Sequence, residues 1–303
     1  MTKGECNNRH GVVSSELTFC NPLKNQVLYA LGVTRRLPGT LFLRNLVERR
    51  SLLFQLVRRD FEQRFVGSAI GWIWSLVQPL VQLAIWVFVF QYCLKIPRAS
   101  GSEGAAPYPL FLFAGILPWM LFSETVQRSA SSILDQANLI TKTVFPAEIV
   151  PLSVFLSTLV SHALALGLMV AVAAIVLHQV SWFLVLLPVY TLALGLFAVG
   201  VAWIVSSLHV FLRDTAQAVG LILNVWFWAT PIMIARSQFP VKALAVIDSN
   251  PLSYGVHAYR RLLLTTRLPD AADLTVLTAA GAAIFVLGGL FFRHMKRGFA
   301  DVL

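Results

Sequence analysis

Long apolar stretches alternate with short polar connections along the chain. A membrane-spanning helix needs about 20 predominantly apolar residues to cross the hydrocarbon layer. The second half of one apolar stretch is polar, with Ser123, Glu124, Gln127 and Arg128 in sequence, so we expect this half to face protein or an aqueous path rather than lipid. Six stretches have the required length and predict transmembrane helices: Ile70–Leu94, Leu110–Leu134, Ile149–Leu177, Trp182–Leu208, Ala216–Ile234 and Leu274–Phe292.

The composition supports an all-α integral membrane protein. Hydrophobic residues make up 57% of the 303 residues, charged residues only 13%, and the mean hydropathy is +0.73. A net charge of +10 could indicate a nucleic-acid partner, but the basic residues are spread between the apolar stretches, so we expect no nucleic acid. If the N-terminus is cytosolic, 17 of the 24 Lys and Arg residues fall on the cytosolic side. This asymmetry predicts six helices with both termini in the cytosol.

Two segments outside the predicted spans have their own patterns. Residues 1–45 contain no signal-peptide pattern and are predicted to be a poorly ordered cytosolic extension. Residues 46–68 place Leu and Phe at helical spacing between arginines, which predicts an amphipathic helix in the headgroup region of the membrane lipid. The same arginines would also serve as a plain positive-inside anchor. Within the six-span domain, 69–303, the Asn250-Pro turn and the periodicity after it predict a short interfacial or re-entrant helix near 250–266.

Motifs of the common catalytic and nucleotide-binding classes are missing from the sequence. No lysine follows a glycine, so the chain contains no P-loop. Zinc-protease, nucleophile-elbow and Cys-x-x-Cys patterns are missing too, and Cys6, Cys20 and Cys93 are scattered. His162 stands alone on its predicted span, where a structural role is the better interpretation. We therefore expect a non-enzymatic chain with no catalytic residues, no metal site and no cofactor of its own.

The order of several short stretches is more specific. The stretch Arg59–Leu80 resembles the beginning of the first span in permease subunits of type 2 ABC exporters, in the polysaccharide and polyol-phosphate export group. This group comprises O-antigen, capsule and teichoic-acid exporters. The resemblance extends over about residues 50–300 and includes further pieces in the same order: Phe113–Phe122, Asn138–Leu152, Arg213-Asp214 and Asn250–Tyr254.

The resemblance implies an assembly and a substrate. It implies a homodimer forming a continuous channel in the bacterial cytoplasmic membrane, with two copies of a separate ABC ATPase that bind ATP and magnesium. The substrate would be an undecaprenyl-linked glycan moved out of the cytosol. It also implies a coupling helix near 138–150, between spans two and three, although an ordinary polar connection would have a similar composition. The residues expected to couple to the ATPase are Leu139, Lys142, Thr143, Phe145, Pro146 and Glu148.

Two further groups of residues follow from the same resemblance. Arginines of the amphipathic helix could bind the lipid diphosphate where substrate is loaded, and aromatic side chains could offer sugars a sliding surface in the channel. Interface belts and helix packing also produce aromatic richness in membrane proteins. The candidates for the diphosphate surface are Arg58, Arg59 and Arg64, and those for the channel wall are Trp74, Tyr108, Trp119 and Phe122.

Three other functions remain open from the sequence. A type 2 ABC permease for a small molecule or lipid would share the fold and topology. An intramembrane transferase acting on lipid-linked sugars would need a pair of carboxylate or histidine side chains near the membrane surface, and the sequence offers no convincing pair. A secondary carrier would show two internally similar halves, and no such repeat is visible.

Overall fold

The chain is helical throughout the part that its computed structural model describes. That part comprises residues 50–64, 66, 68, 71–95, 106–142, 146–179, 181–234 and 236–302, and no strand occurs within it. The all-α prediction is therefore confirmed for these residues. The predicted extension, 1–45, lies outside them.

Eleven α-helices are defined by their bounds in these ranges. Three of them continue into tighter or wider helical turns: Gly71–Ile73 precedes α2 and a π-helix over Val87–Cys93 follows it, Trp182–Leu186 leads into α6, and Lys296–Gly298 follows α10. The helices are α1 (Arg50–Gln63), α2 (Trp74–Trp86), α3 (Tyr108–Asp135), α4 (Ala137–Lys142), α5 (Ile149–Leu177), α6 (Leu187–Phe211), α7 (Thr215–Trp228), α8 (Val241–Asp248), α9 (Pro251–Leu264), α10 (Ala271–Met295) and α11 (Phe299–Val302).

Five helical segments in the described ranges are long and apolar enough to cross a membrane. They are Gly71–Cys93, Tyr108–Asp135, Ile149–Leu177, Trp182–Phe211 and Ala271–Gly298. The predicted fifth span, Ala216–Ile234, differs from this pattern, because its helix α7 has only 14 residues. The prediction of six full-length spans is thus not met by the helix lengths.

Helix α7 ends where a proline prevents its continuation. Pro231 has no N–H to donate, and it disfavours helical geometry at Thr230 before it. The backbone N–H of Ala229 still bonds to the carbonyl of Val225 at 3.2 Å, and the Thr230 hydroxyl donates to the carbonyl of Trp226 at 2.9 Å. These bonds satisfy carbonyls at the end of the helix, and the chain leaves it there.

Helix α3 lies at the centre of the packing although it is the least apolar of the five long segments. About 78% of its most apolar stretch is buried, against 11% for Gly71–Cys93 and 17% for Ala271–Gly298. Burial extends into the polar second half of α3, where the side chains of Thr125 and Ser129 have no exposed surface. Of the polar positions that the sequence singled out in this half, Ser123, Glu124 and Arg128 are half-buried and Gln127 is exposed, so their facing protein or an aqueous path stays a prediction. Helices α5, α6 and α9 pack around it.

Helices α6 and α10 approach closely because glycines face each other. A Cβ atom placed on Gly288 would lie 2.2 Å from the carbonyl oxygen of Gly200, and one placed on Gly281 would lie 2.8 Å from the carbonyl oxygen of Ala193. The two contacts are seven residues apart on both helices, so the helices run parallel and stay close for about two turns. Small residues at such spacing let helix backbones meet in a membrane protein.

Helix α9 is joined to the end of α7 by one asparagine. The Asn250 side-chain oxygen accepts hydrogen bonds from the backbone N–H of Leu252 at 3.1 Å, which caps α9, and from the indole N–H of Trp226 at 3.1 Å. Its amide nitrogen donates to the Thr230 hydroxyl at 2.9 Å. Helix α9 follows the predicted Asn250-Pro turn and packs on α3, α6 and α10. Its predicted membrane-interface position stays a prediction.

Candidate functional site

Four alternating charges join α1 to α3. The two carboxylate oxygens of Asp60 both accept from one guanidinium nitrogen of Arg128, at 2.8 Å each. Arg64, just after α1, pairs with Glu124 at 2.8 Å, and Glu124 lies 3.9 Å from Arg128. Each carboxylate thus has a guanidinium partner. Side-chain exposures between 15% and 35% place the group in a partly dehydrated environment, where such charge-assisted bonds are stronger than on an open surface.

The same group reaches α5 through hydroxyls. Arg64 donates to the Ser161 hydroxyl at 3.0 Å and to the Thr158 hydroxyl at 2.9 Å. Burial lowers the pKa of the Arg64 guanidinium, and the nearby Glu124 opposes that shift. An arginine nevertheless stays protonated at any physiological pH. The cluster therefore fixes the end of α1 against α3 and α5 with its charges in place.

A polar cavity of about 170 Å³ lies beside this cluster. Its walls come from α1, from the last two turns of α3 and from the first turns of α5. Arg59 and Asp60 line one side, and Ser131, Ser132 and Ser153 line the others. The Arg59 guanidinium crosses to the side-chain oxygen of Gln136, between α3 and α4. Cavity and charge cluster together mark what we call the α1 end of the bundle.

The predicted coupling residues form two groups at this end. Leu139 lies half-buried in α4, and Lys142 ends that helix. Pro146 and Glu148 lead into α5, where the backbone N–H of Ile149 bonds to the carbonyl of Pro146 at 3.0 Å. Thr143 and Phe145, also predicted for coupling, lie outside the described residues.

Glu148 holds the start of α5 to two other helices. Its carboxylate binds the Lys296 ammonium at 3.0 and 2.9 Å, and its backbone carbonyl accepts from the indole N–H of Trp203 at 3.0 Å. Lys296 directly follows α10, and Phe299 one turn later is buried against Phe292. No sequence pattern pointed to Lys296 as a contact of this segment.

The predicted diphosphate arginines differ in what they contact. Arg58 is largely exposed and pairs with Glu62 one turn along the same helix, at 2.7 Å. Arg59 is exposed but donates to Gln136. Arg64 is 15% exposed and is engaged by Glu124 and two hydroxyls, so its guanidinium does not present a free anion-binding face. Arg58 and Arg59 both have the exposure that an open binding surface requires, and the Arg58 pair with Glu62 stays within α1.

The predicted channel aromatics also separate. Phe122 has no exposed surface, and its ring lies 5.2 Å from Trp226 and 5.4 Å from Phe197. Trp119 is 7% exposed and packs on the same ring group. Both side chains are enclosed in the single chain, and their predicted wall position stays a prediction. Tyr108 is half-buried and donates to the carbonyl of Met233 at 2.6 Å, while Trp74 is 45% exposed.

Two buried polar groups fix α9 at the opposite end of α3. The Tyr259 hydroxyl lies 3.1 Å from His162 and 2.6 Å from the Thr191 hydroxyl, so one group joins α9, α5 and α6. The structural interpretation of His162 fits this contact. Arg260, without exposed surface, donates to the carbonyls of Phe111 and Ile232 and lies 3.6 Å over the Phe111 ring.

Three potential metal ligands meet near the start of α10. His257, Asp270 and Asp273 have ligand atoms within 4.8 Å of one another. They are engaged in bonds of their own: Asp273 accepts from His257 at 2.8 Å and caps the helix, and Asp270 pairs with Arg261 at 2.5 Å. The geometry accounts for these side chains without an ion.

Known proteins resemble the chain over most of its length. Residues 51–264 match the family described as ABC-2 type transporter. The chain is 30% identical over 260 residues to the O-antigen export system permease protein RfbA of Myxococcus xanthus, an alignment that covers 85% of this chain and 97% of that protein. It is 28% identical to RfbA of Klebsiella pneumoniae, with 83% and 95% covered, and 24% identical to the polysialic acid transport protein KpsM of Escherichia coli, with 78% and 88% covered.

Proposed function

Because the chain belongs to the ABC-2 type transporter family, we propose that it is the permease subunit of an ATP-driven polysaccharide exporter. The observation that carries the proposal is the near full-length similarity to proteins named for O-antigen and polysialic acid transport. These alignments cover most of this chain and most of each relative, so the similarity is not confined to a shared fragment. The substrate that we propose is an undecaprenyl-linked glycan.

A separate ATPase supplies the energy in this proposal. The chain lacks a P-loop, so it has no means of cradling nucleotide phosphates in that manner. ATP and magnesium would be bound by two copies of a partner ABC ATPase. The segment 138–150, with Leu139, Lys142, Thr143, Phe145, Pro146 and Glu148, would dock on it. The contacts of Glu148 with Lys296 and Trp203 support this role, because they connect the segment rigidly to α10 and α6.

The proposed topology has six crossings in the bacterial inner membrane, with both termini in the cytosol. Five crossings are the long helical segments, and α7 with the chain that follows it would make the sixth. In this orientation the α1 end faces the cytosol and α9 lies toward the outside. The excess of Lys and Arg on the cytosolic side supports this orientation.

The proposed assembly is a homodimer with a channel between its subunits. Exposed apolar side chains on α2 and α7 are available either to lipid or to a second copy, among them Trp74, Leu221 and Trp228. Trp74 is the predicted channel aromatic with the largest exposed surface, so we assign it the wall position. Arg58, exposed on α1, would receive the lipid diphosphate.

The test is export in a bacterium whose own O-antigen permease gene has been deleted. The chain is expressed with its partner ATPase, and surface glycan is measured by an antibody on intact cells. A partner whose P-loop lysine is changed to alanine serves as the matched control. We expect surface glycan only with the intact pair, and intracellular lipid-linked glycan in the control. Glycan that stays inside with a folded, membrane-inserted pair contradicts the polysaccharide assignment and favours the small-molecule permease.

A further inference from the structure

The cavity at the α1 end is lined by apolar residues on one side and by polar residues on the other. Leu56 of α1 and Val150 and Val154 of α5 are buried and line it. Gln63 and Asp135, the last residues of α1 and α3, line it as well and are exposed. Because exposed residues form part of its wall, the cavity is open to solvent at its polar side.

The serine hydroxyls of this cavity donate their protons to the protein itself. Ser132 and Ser153 donate to backbone carbonyls of their own helices, at 2.8 and 2.7 Å. Ser131 donates to the Asp135 carboxylate at 3.1 Å. A hydroxyl has one proton and two lone pairs, so each of these groups can only accept a hydrogen bond from a ligand. A ligand that complements this lining must therefore bring hydroxyl or N–H donors.

The charges that line the cavity balance each other. Asp60 binds Arg128 through both carboxylate oxygens at 2.8 Å, and Arg59 and Asp135 add one charge of each sign. A charged ligand would meet no net attraction there, and removing its charge from water would cost free energy. At roughly 10–15 Å³ for each water-sized group, the cavity of about 170 Å³ holds about a dozen non-hydrogen atoms. Its size and lining fit one neutral ring that carries several hydroxyls.

We propose that this cavity binds the first sugar of the lipid-linked glycan, the one joined to the diphosphate. The inference rests on the proposed function, in which the α1 end faces the cytosol. Arg58, proposed to receive the diphosphate, precedes Arg59, which lines the cavity. A sugar joined directly to that diphosphate reaches the cavity without a spacer. The C–H face of the ring packs on Leu56 and the two valines, and its hydroxyls donate to the serines and to Asp135.

Two glutamines of α1 provide a matched pair of variants. Gln63 is exposed and lines the cavity, whereas Gln55 is exposed two turns earlier and does not line it. Alanine removes the same amide from the same helix at both positions. Asp135→Asn is a second test, because it keeps the size of the side chain and removes a carboxylate that accepts hydrogen bonds. All three positions are exposed, so these changes should leave the yield of folded complex unchanged.

The experiment measures lipid binding to the permease–ATPase complex by native mass spectrometry. The probes are undecaprenyl diphosphate and the same lipid carrying one N-acetylglucosamine or one galactose. We expect the wild-type complex to bind at least one sugar-bearing lipid about 10-fold more tightly than the bare lipid. Gln63→Ala and Asp135→Asn should each lower this affinity ratio roughly 2- to 10-fold and leave binding of the bare lipid unchanged. Gln55→Ala should keep the wild-type ratio.

Several results would overturn the inference. Equal affinity of the wild-type complex for all three lipids means that no sugar is recognised. A ratio that Gln63→Ala and Asp135→Asn leave unchanged, or that Gln55→Ala lowers equally, places recognition outside the cavity.

A glycerol headgroup offers similar hydroxyl donors, so phosphatidylglycerol is added as a competitor. If it abolishes the preference of the wild-type complex for the sugar-bearing lipid, the cavity belongs to a membrane lipid and the inference is wrong. In all these cases continued glycan export leaves the proposed function standing. A folded complex that binds none of the undecaprenyl lipids and exports no glycan instead contradicts the proposed function.

Discussion

Alanine at Gly288 should separate α6 from α10, whereas alanine at the next position should not. The Cβ atom at Gly288 would lie 2.2 Å from the Gly200 carbonyl oxygen, and the neighbouring atoms are all backbone. At Gly289 the Cβ atom would meet the Trp203 ring at 3.4 Å, an ordinary contact. The two variants change the same residue type in the same helix, one position apart.

The expected magnitude follows from the size of the overlap. An ordinary contact begins at 3.4 Å, so the backbones must separate by about 1 Å at this crossing. A gap of that size removes roughly a quarter to a half of each dispersion contact nearby. Overpacking of this kind costs about 1–3 kcal/mol, sometimes more. Helices persist in the unfolded state within a bilayer, so the gain in helix propensity largely cancels and the steric cost remains.

Unfolding temperature in detergent is the measurement, read from the fraction of monodisperse protein after heating. We expect Gly288→Ala to unfold several degrees below wild type and Gly289→Ala to stay near it. Gly200→Ala provides a second test, because its Cβ atom would lie 2.6 Å from the backbone of Ile284. Equal unfolding temperatures for the Gly288 and Gly289 variants would refute the close approach of the helices.

Three further sets of variants test other contacts. Tyr259→Phe removes the hydroxyl that hydrogen-bonds α9 to α5 and α6, and it should lower the free energy of unfolding by about 1–2 kcal/mol. Unchanged thermal stability would show that these hydrogen bonds do not stabilise the fold. Phe122→Ala should lower the free energy of unfolding by about 3–5 kcal/mol because it leaves a cavity, and a normal yield of folded protein would contradict the packing role of Phe122. Trp74→Ala should keep the yield of folded protein and lower glycan export. Lys296→Glu should reduce glycan exported per ATP hydrolysed, and adding Glu148→Lys should restore it; absence of rescue argues against a direct pair.

The length of α7 shows where hydropathy alone misleads. The stretch Ala216–Ile234 is apolar enough for a span, so a window average predicts one. Pro231 inside it was the available signal, since proline and the residue before it resist helical geometry. The long segments around α3, α5, α6 and α10 contain no such conflict between composition and local geometry in their second halves. Their predicted extents agree with the helices to within a few residues at most ends.

The residues of the charge cluster lie too far apart in sequence to be paired from a pattern. Arg64 and Thr158 are 94 positions apart, and Asp60 and Arg128 are 68 apart. The sequence pattern places Arg64 among the arginines of the amphipathic segment. Its carboxylate partner depends on how α1 crosses α3 and α5. The sequence therefore identifies Arg64 as a candidate for anion binding but does not reveal its pairing with Glu124.

The burial of the aromatic residues of α3 could not be predicted from the sequence for a related reason. Aromatic rings next to a polar half-helix are compatible with a channel wall and with a protein core. Which of the two environments a ring has depends on whether its helix is surrounded by other helices, and that is set by the packing of the whole bundle. Phe122 is enclosed because α3 lies in the middle, with Phe197 from α6 and Trp226 from α7 on its ring.

The shortness of α7 bears on the barrier that a hydrophilic molecule would meet in crossing the membrane beside this helix. Fourteen residues extend about 21 Å, against about 30 Å for the hydrocarbon layer. In the proposed six-crossing topology, the remaining thickness would be met by the turn after Trp228, whose polar groups are joined through Asn250. A hydrophilic polymer that passed beside α7 would be dehydrated along a distance roughly a third shorter than the full hydrocarbon thickness. Because the free energy of dehydration grows with the number of polar groups removed from water at once, in the proposed exporter the short helix would lower the barrier before any helix moves.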